Sequence, residues 1–285
     1  MAEGGRWPLG PLPEDSAPPN LETAAATTAT EQAFLLPLPL PSFPSWTIWD
    51  VLVIPGAAIL SIFLCSAIAL GIAHQLPAYH KLSIATLAQE PLIIVGSQIA
   101  SYPLVIWFMA AIVRRRSGLP FLAAIQWNWP SGRVVLFYFS GYLLAFVVEG
   151  LARFLPIPKS LPMDKFFDNA TSAYLMAFFG ILVAPVLEEL FFRGMLYPTL
   201  RRAMGIVPGL LLTAAAFAAI HGAQLGYAWG PILSIFVVGL VLTYVRQVTD
   251  SVAAGVLTHS GYNSMLFTLL WFGSDHFRHM EKLGS

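Results

Sequence analysis

Residues 51–73 read VLVIPGAAILSIFLCSAIALGIA, an apolar run without a single Asp, Glu, Lys or Arg. About 20 consecutive apolar residues suffice for a helix to cross the hydrocarbon core of a bilayer, so this stretch is a candidate transmembrane span. The pattern recurs along the chain. Residues 91–113 are equally free of charge, and 134–155 are apolar except for Glu149 and Arg153, which stand four apart on one helical face and can pair. Residues 173–200 form a longer run with three charges near its middle. Residues 206–224, 227–245 and 252–272 complete seven candidate spans, and an eighth could hide in a re-entrant or broken segment. The expected fold is all-α: a polytopic transmembrane helix bundle of about 7–8 spans with a disordered N-terminal tail.

Composition agrees. Of 285 residues, 57% are hydrophobic and 11% charged, against about 45–50% and about 25% in an ordinary soluble domain. Such an excess does not fit inside one soluble core. Fifteen Lys and Arg balance fifteen Asp and Glu, so there is no basic surplus for binding nucleic acid and no acidic surplus for solvating an extended chain. The single cysteine, Cys65, excludes an internal disulfide and any multi-cysteine zinc site. Lying in an apolar run, it reads as a small buried hydrophobe.

Residues 1–46 form a separate region. Glu3, Glu14, Asp15, Glu22 and Glu31 face a single Arg6 among prolines and small polar residues, a composition too poor in apolar area to offset the entropy of ordering. Pro37, Pro39, Pro41 and Pro44 then forbid a helix and favour an extended linker ending near Trp46 and Trp49. No basic start leads directly into an apolar run, as a signal peptide would require. Residues 47–285 make the membrane-embedded domain. Loops after spans two, four and six hold Arg114, Arg115, Arg116, Arg133, Arg201, Arg202 and Arg246, whereas the alternate loops hold only Lys81, Lys159 and Lys165. The positive-inside rule puts the N-terminus in the cytoplasm, and the short chain with compact loops favours a bacterial plasma membrane. Trp49, Trp229 and Trp271, near span ends, fit interfacial belts.

An ionisable residue at the bilayer centre costs about 2.5–3.5 kcal/mol on insertion scales, so several of them need a reason. The fourth span reads APVLEELFFRG over residues 184–194. Glu189 and Arg193 have the spacing and order of an ion pair along one helix. Glu188, rotated about 100° from Glu189, is left without a local cation. Two later spans carry Phe217 with His221 and His259 with Asn263 at the same four-residue spacing. Measured from the basic loops at about 1.5 Å per residue, Glu188 lies roughly 20 Å deep, His221 roughly 22 Å and His259 roughly 14 Å, compatible with one layer near the membrane middle. A carboxylate without a cation can act as general base on water, and a neighbouring histidine can position that water or move its proton. Histidine and asparagine can donate to an oxyanion developing on a carbonyl. Hydrolysis of an amide inside the membrane needs no more, although Ser260 and Ser264 flank the last pair and remain open as nucleophiles.

The order Glu-Glu-x-x-x-Arg, Phe-x-x-x-His and His-x-x-x-Asn resembles the CAAX protease and bacteriocin-processing (CPBP) family of intramembrane proteases, which includes the Ras-converting type of CAAX prenyl endopeptidase. The resemblance covers about residues 130–272. It implies that Glu188 activates water with His221 assisting, that His259 and Asn263 form the oxyanion hole, that Glu189 and Arg193 support the site, and that Phe217 packs beside it. It also implies a metal-free mechanism without cofactor and a peptide or protein substrate, prenylated or otherwise membrane-associated, met within the lipid bilayer. Two alternatives stand beside it. Two glutamates and two histidines could hold zinc, although no His-x-x-x-His pair is present. The same buried charges could serve a proton-coupled transporter or a scaffold, although no internal repeat is visible.

Overall fold

The computed structural model describes residues 43–278, whose regular structure is all helical with no strand among them. Seven long helical elements follow one another: α1 (Ile48–Gln75), α2 (Pro91–Ser117), α3 (Val134–Ala152), α4 (Ala170–Met204), α5 (Ile206–Ile220), α6 (Trp229–Thr249) and α7 (Val252–Gly273). Five of them, α1 to α4 and α6, are long and apolar enough to cross a membrane. At 15 residues, α5 rises only about 22 Å. α7 is long enough but carries Thr258, His259, Ser260, Tyr262, Asn263 and Ser264 in its middle, a polar content that sets it apart from the other five. The chain is an integral membrane protein, and of the disordered tail and linker expected over residues 1–46, residues 1–42 lie outside the described residues.

Local chemistry sets the helix ends. Thr47 caps α1, accepting from the Asp50 amide while Asp50 accepts from the Thr47 amide in return. Pro91 occupies the first turn of α2, where its missing N–H is not needed. Arg114, Arg115 and Arg116 crowd its last turn, and Gly118 closes it in the left-handed conformation. Arg116 pairs with Asp50 at 2.8 Å, joining the end of α2 to the start of its antiparallel neighbour α1. Pro55 and Pro103 sit inside α1 and α2, as membrane helices tolerate.

The closest helix pair is α3 with α7. Gly141 lies directly on the backbone of Thr258 and Tyr262, and Gly261 on the backbone of Tyr138, so a Cβ at either position would overlap main chain. In lipid, where apolar contact alone drives little association, small residues permit this approach and the dispersion it brings. The molecule's interior collects Leu190, Phe192, Met195, Phe217, Leu242 and Val252 around α4. The outward faces are apolar too: Ile59, Phe63, Ile68, Trp107 and Phe146 are all exposed, a surface suited to lipid rather than water. Trp49 and Trp229 are exposed near span ends, whereas Trp46 is buried and donates from Nε1 to the Met195 carbonyl at 3.2 Å. The Arg202 guanidinium binds the Pro44 carbonyl at 2.6 Å, so Pro44 and Trp46 are both tied to α4.

Four sequence expectations are corrected. The fifth helix ends at Ile220 rather than near Gln224, because residues 221–227 wind into a turn closed by the Tyr227 amide on the Gly222 carbonyl at 2.8 Å. Arg246, assigned to a loop, lies within α6 and is 2% exposed. Glu149 and Arg153 are both exposed and form no ion pair among the described residues; a solvent-facing pair at the end of α3 gains little from closing. Cys65 is half-buried on α1, not enclosed.

Candidate active site

α4 carries the first motif, and it is not a uniform helix. Two π-helical stretches, Phe179–Val183 and Phe192–Leu196, interrupt it. Each precedes a proline, Pro185 and Pro198. In the first, the Ala184 amide bonds to the Phe179 carbonyl, so the Gly180 carbonyl would have to await residue 185, a proline with no N–H. In the second, the Tyr197 amide bonds to the Phe192 carbonyl and leaves the Arg193 carbonyl facing Pro198 in the same way. Side chains from other helices fill both vacancies: Asn263 Nδ2 donates to the Gly180 carbonyl at 2.6 Å, and Arg246 Nε to the Arg193 carbonyl at 3.2 Å. Wide turns of this kind are frequent at functional sites.

Between the two wide turns stand Glu188 and Glu189. Glu189 is fully buried, and its Oε1 accepts from Arg193 at 2.6 Å and from His259 Nδ1 at 3.0 Å. Arg193 is also fully buried. It gives its remaining nitrogens to the Gly239 carbonyl at 3.0 Å and the Thr243 hydroxyl at 3.3 Å, both on α6. Its guanidinium carbon lies 4.5 Å from the centre of the Phe217 ring, a cation–π contact strengthened by desolvation. A buried charge is tolerable only when paired and hydrogen-bonded, and each of the three guanidinium nitrogens of Arg193 has a partner. The second oxygen of Glu189 has no partner among the described residues and rests against Gly255, where a Cβ would stand only 2.7 Å away.

Glu188 differs in each respect. Its side chain is 18% exposed, it forms no ion pair with Arg193, and its Oε2 lies 3.8 Å from His259 Nε2. The imidazole of His259 is therefore held between the two glutamates, anchored at Nδ1 by Glu189 with Nε2 turned to Glu188. Phe217 forms the wall shared by both histidines, edge-on to His259 at 5.6 Å and tilted against His221 at 5.0 Å between ring centres. His221 follows the last residue of α5, and its Nδ1 engages the Phe217 carbonyl at 2.9 Å. That contact leaves Nε2 as its free nitrogen.

Glu188, Glu189, Arg193, Phe217, His221 and His259 thus form one contiguous group, with His221 reaching it through Phe217. Asn263 stands one turn further along α7 and reaches α4 through Gly180. Gly239, Thr243, Gly255 and Arg246 also shape the site and lie outside the three motifs. Thr243 lies within the expected sixth span at 227–245 and Arg246 directly follows it; a hydroxyl in that span and an arginine at its end were the available signal. Among the described residues, no three His, Cys, Asp or Glu side chains gather in a form that could hold a metal ion.

No curated protein and no solved structure matches the chain. A family model does: residues 170–265, from the first residue of α4 through most of α7, match the family described as type II CAAX prenyl endopeptidase Rce1-like. All three motifs fall inside these bounds. Over this stretch the integral membrane protein described here is similar to the Rce1-like CAAX prenyl endopeptidases, in keeping with the CPBP family of membrane proteases.

Proposed function

We propose that the chain is an intramembrane endopeptidase in which Glu188 activates water against a peptide bond, without a metal ion. The observation that carries this reading is the contrast between adjacent carboxylates: Glu189 is consumed by Arg193 and His259, whereas Glu188 is partly exposed, free of Arg193 and 3.8 Å from His259 Nε2. In the reaction, Glu188 takes a proton from water as its oxygen bonds to the scissile carbonyl carbon. His221 orients that water through its free Nε2. The oxyanion accepts from the Asn263 amide hydrogen not used by Gly180 and from His259 Nε2, which donates when the ring carries a second proton beside the one that Nδ1 gives to Glu189. Collapse breaks the C–N bond, and the proton on Glu188 passes to the leaving amine.

The family match and the membrane setting support a substrate class: a peptide segment presented at the membrane, with a prenylated C-terminal Cys-a-a-X peptide as the first candidate. The arginine-rich ends of α2 and α4 support a cytoplasmic N-terminus, and the short chain with compact loops favours a bacterial plasma membrane. The test is cleavage of quenched fluorescent peptides, prenylated and unprenylated, by detergent-purified wild type and Glu188→Gln, with and without chelator. Chelator-insensitive cleavage that disappears in the variant is the expected result. Chelator-sensitive cleavage would transfer the site to a metalloprotease, and an active Glu188→Gln would remove Glu188 as the base. Proton-dependent uptake without cleavage of any peptide would indicate a transporter.

A further inference from the structure

Arg246 is buried, charged and unused by the mechanism above. We propose that Arg246 and Gln126 are positioning residues that lock α4 and α7 in the register required by the Glu188–His259 pair; this inference rests on the peptidase reading.

The geometry begins at Pro198. Because that proline leaves the Arg193 carbonyl without a main-chain donor, the bend of α4 is completed from outside by Arg246 Nε at 3.2 Å. The other two nitrogens of Arg246 go to Asp250 Oδ1 at 3.2 Å and to Gln126 Oε1. Gln126 belongs to the connection between α2 and α3, outside the family match, and has a left-handed backbone with φ of 59°. Asp250, at the end of α6, has φ of 47°. Both ligands of the guanidinium therefore hold conformations that non-glycine residues rarely adopt, and these persist where surrounding contacts over-determine them.

The Gln126 segment also holds the start of α7. The Gln126 carbonyl accepts from the Val252 amide at 3.1 Å and the Trp127 carbonyl from the Ala253 amide at 3.2 Å, while Asn128 Nδ2 donates to the Asp250 carbonyl at 2.7 Å. The first two contacts satisfy orphan N–H groups in the first turn of the helix that carries His259 and Asn263. A single loop thus caps α7 directly and reaches α4 through Arg246. From there, the Arg193 side chain holds Glu189, Glu189 holds His259, and His259 faces Glu188. An unbroken chain of contacts joins a loop outside the motifs to the carboxylate proposed as base.

The test compares Arg246→Met, Gln126→Leu and Gln126→Glu with wild type, using the peptide assay and the 15N spectrum of the His259 ring, assigned through His259→Gln. Arg246→Met and Gln126→Leu should each lower kcat by roughly ten- to a hundredfold, as displacements near 1 Å do. KM should stay within about twofold, because an interaction felt only in the transition state is lost. The double variant should be no worse than the poorer single one, since both act through one link. Gln126→Glu keeps the acceptor oxygen and should remain near wild type. In the spectrum, the His259 Nδ1 signal should shift in the two disruptive variants and not in Gln126→Glu. Should Arg246→Met fail to fold, the milder Gln126→Leu carries the test. An unchanged kcat with an unchanged His259 spectrum would overturn the proposal, as would additive effects in the double variant. If wild type cleaved no peptide, the peptidase reading would fail, and the histidine spectrum alone would decide whether Arg246 positions the site.

Discussion

Glu188 and Glu189 are neighbours in the chain and opposites in environment, and substitution should separate them. Glu188→Gln removes a general base, whose loss typically costs 10²- to 10⁴-fold in rate. It should leave thermal stability in detergent unchanged, because no buried partner is stranded. Glu189→Gln leaves the enclosed Arg193 without its counter-charge, and breaking a buried pair destabilises by about 3–5 kcal/mol. Its melting temperature should fall together with activity. Gly255→Ala tests the space behind Glu189: a Cβ 2.7 Å from the unpartnered oxygen must displace the carboxylate that anchors His259. We expect at least a tenfold loss of turnover, measured on protein whose gel-filtration profile matches wild type.

At the scale of the element, α4 is defined by its two prolines. Each produces a wide turn and an orphaned carbonyl, and each carbonyl is claimed by a side chain from α6 or α7. A proline inside a helix ordinarily destabilises by about 3 kcal/mol, so Pro198→Ala should preserve or raise the melting temperature. The restored N–H lets α4 return toward ordinary helical register, withdrawing the Arg193 carbonyl from Arg246. Turnover should therefore fall about tenfold or more while stability holds, a combination that cleavage kinetics and a thermal melt on the same sample will resolve. A loss of turnover without a loss of stability is what separates a site-shaping proline from a merely tolerated one.

For the whole molecule, contacts that look equally structural carry very different weight. Gly261→Ala would drive a methyl into the Tyr138 backbone, and overpacking of this kind costs about 1–3 kcal/mol. Because α7 also bears His259 and Asn263, melting temperature and activity should decline together. Asp50→Asn loosens the more exposed Arg116 pair joining α1 to α2, and such pairs contribute about 0.2–1 kcal/mol. Its melt and its turnover should both stay near wild type, which a thermal melt at two salt concentrations can check.

Hydropathy alone determined that this chain lies in a membrane and roughly where its helices run, because about 20 apolar residues have few other fates. The four-residue spacing of Glu189 and Arg193 pointed to their pairing, yet the same spacing leaves the exposed Glu149 and Arg153 without an ion pair among the described residues. Local pattern carries no more than that. Prolines at 185 and 198 mark interruptions, but the donors that complete them come from residues 263 and 246, and only packing selects them. Arg246 counts as a loop charge when read along the chain, and as a buried strut once α4, α6 and the Gln126 loop converge on it. The free carboxylate at Glu188, the anchored His259 and the wall at Phe217 likewise depend on four helices meeting. Their energies are contacts between segments distant in sequence, and such contacts exist only in the folded molecule.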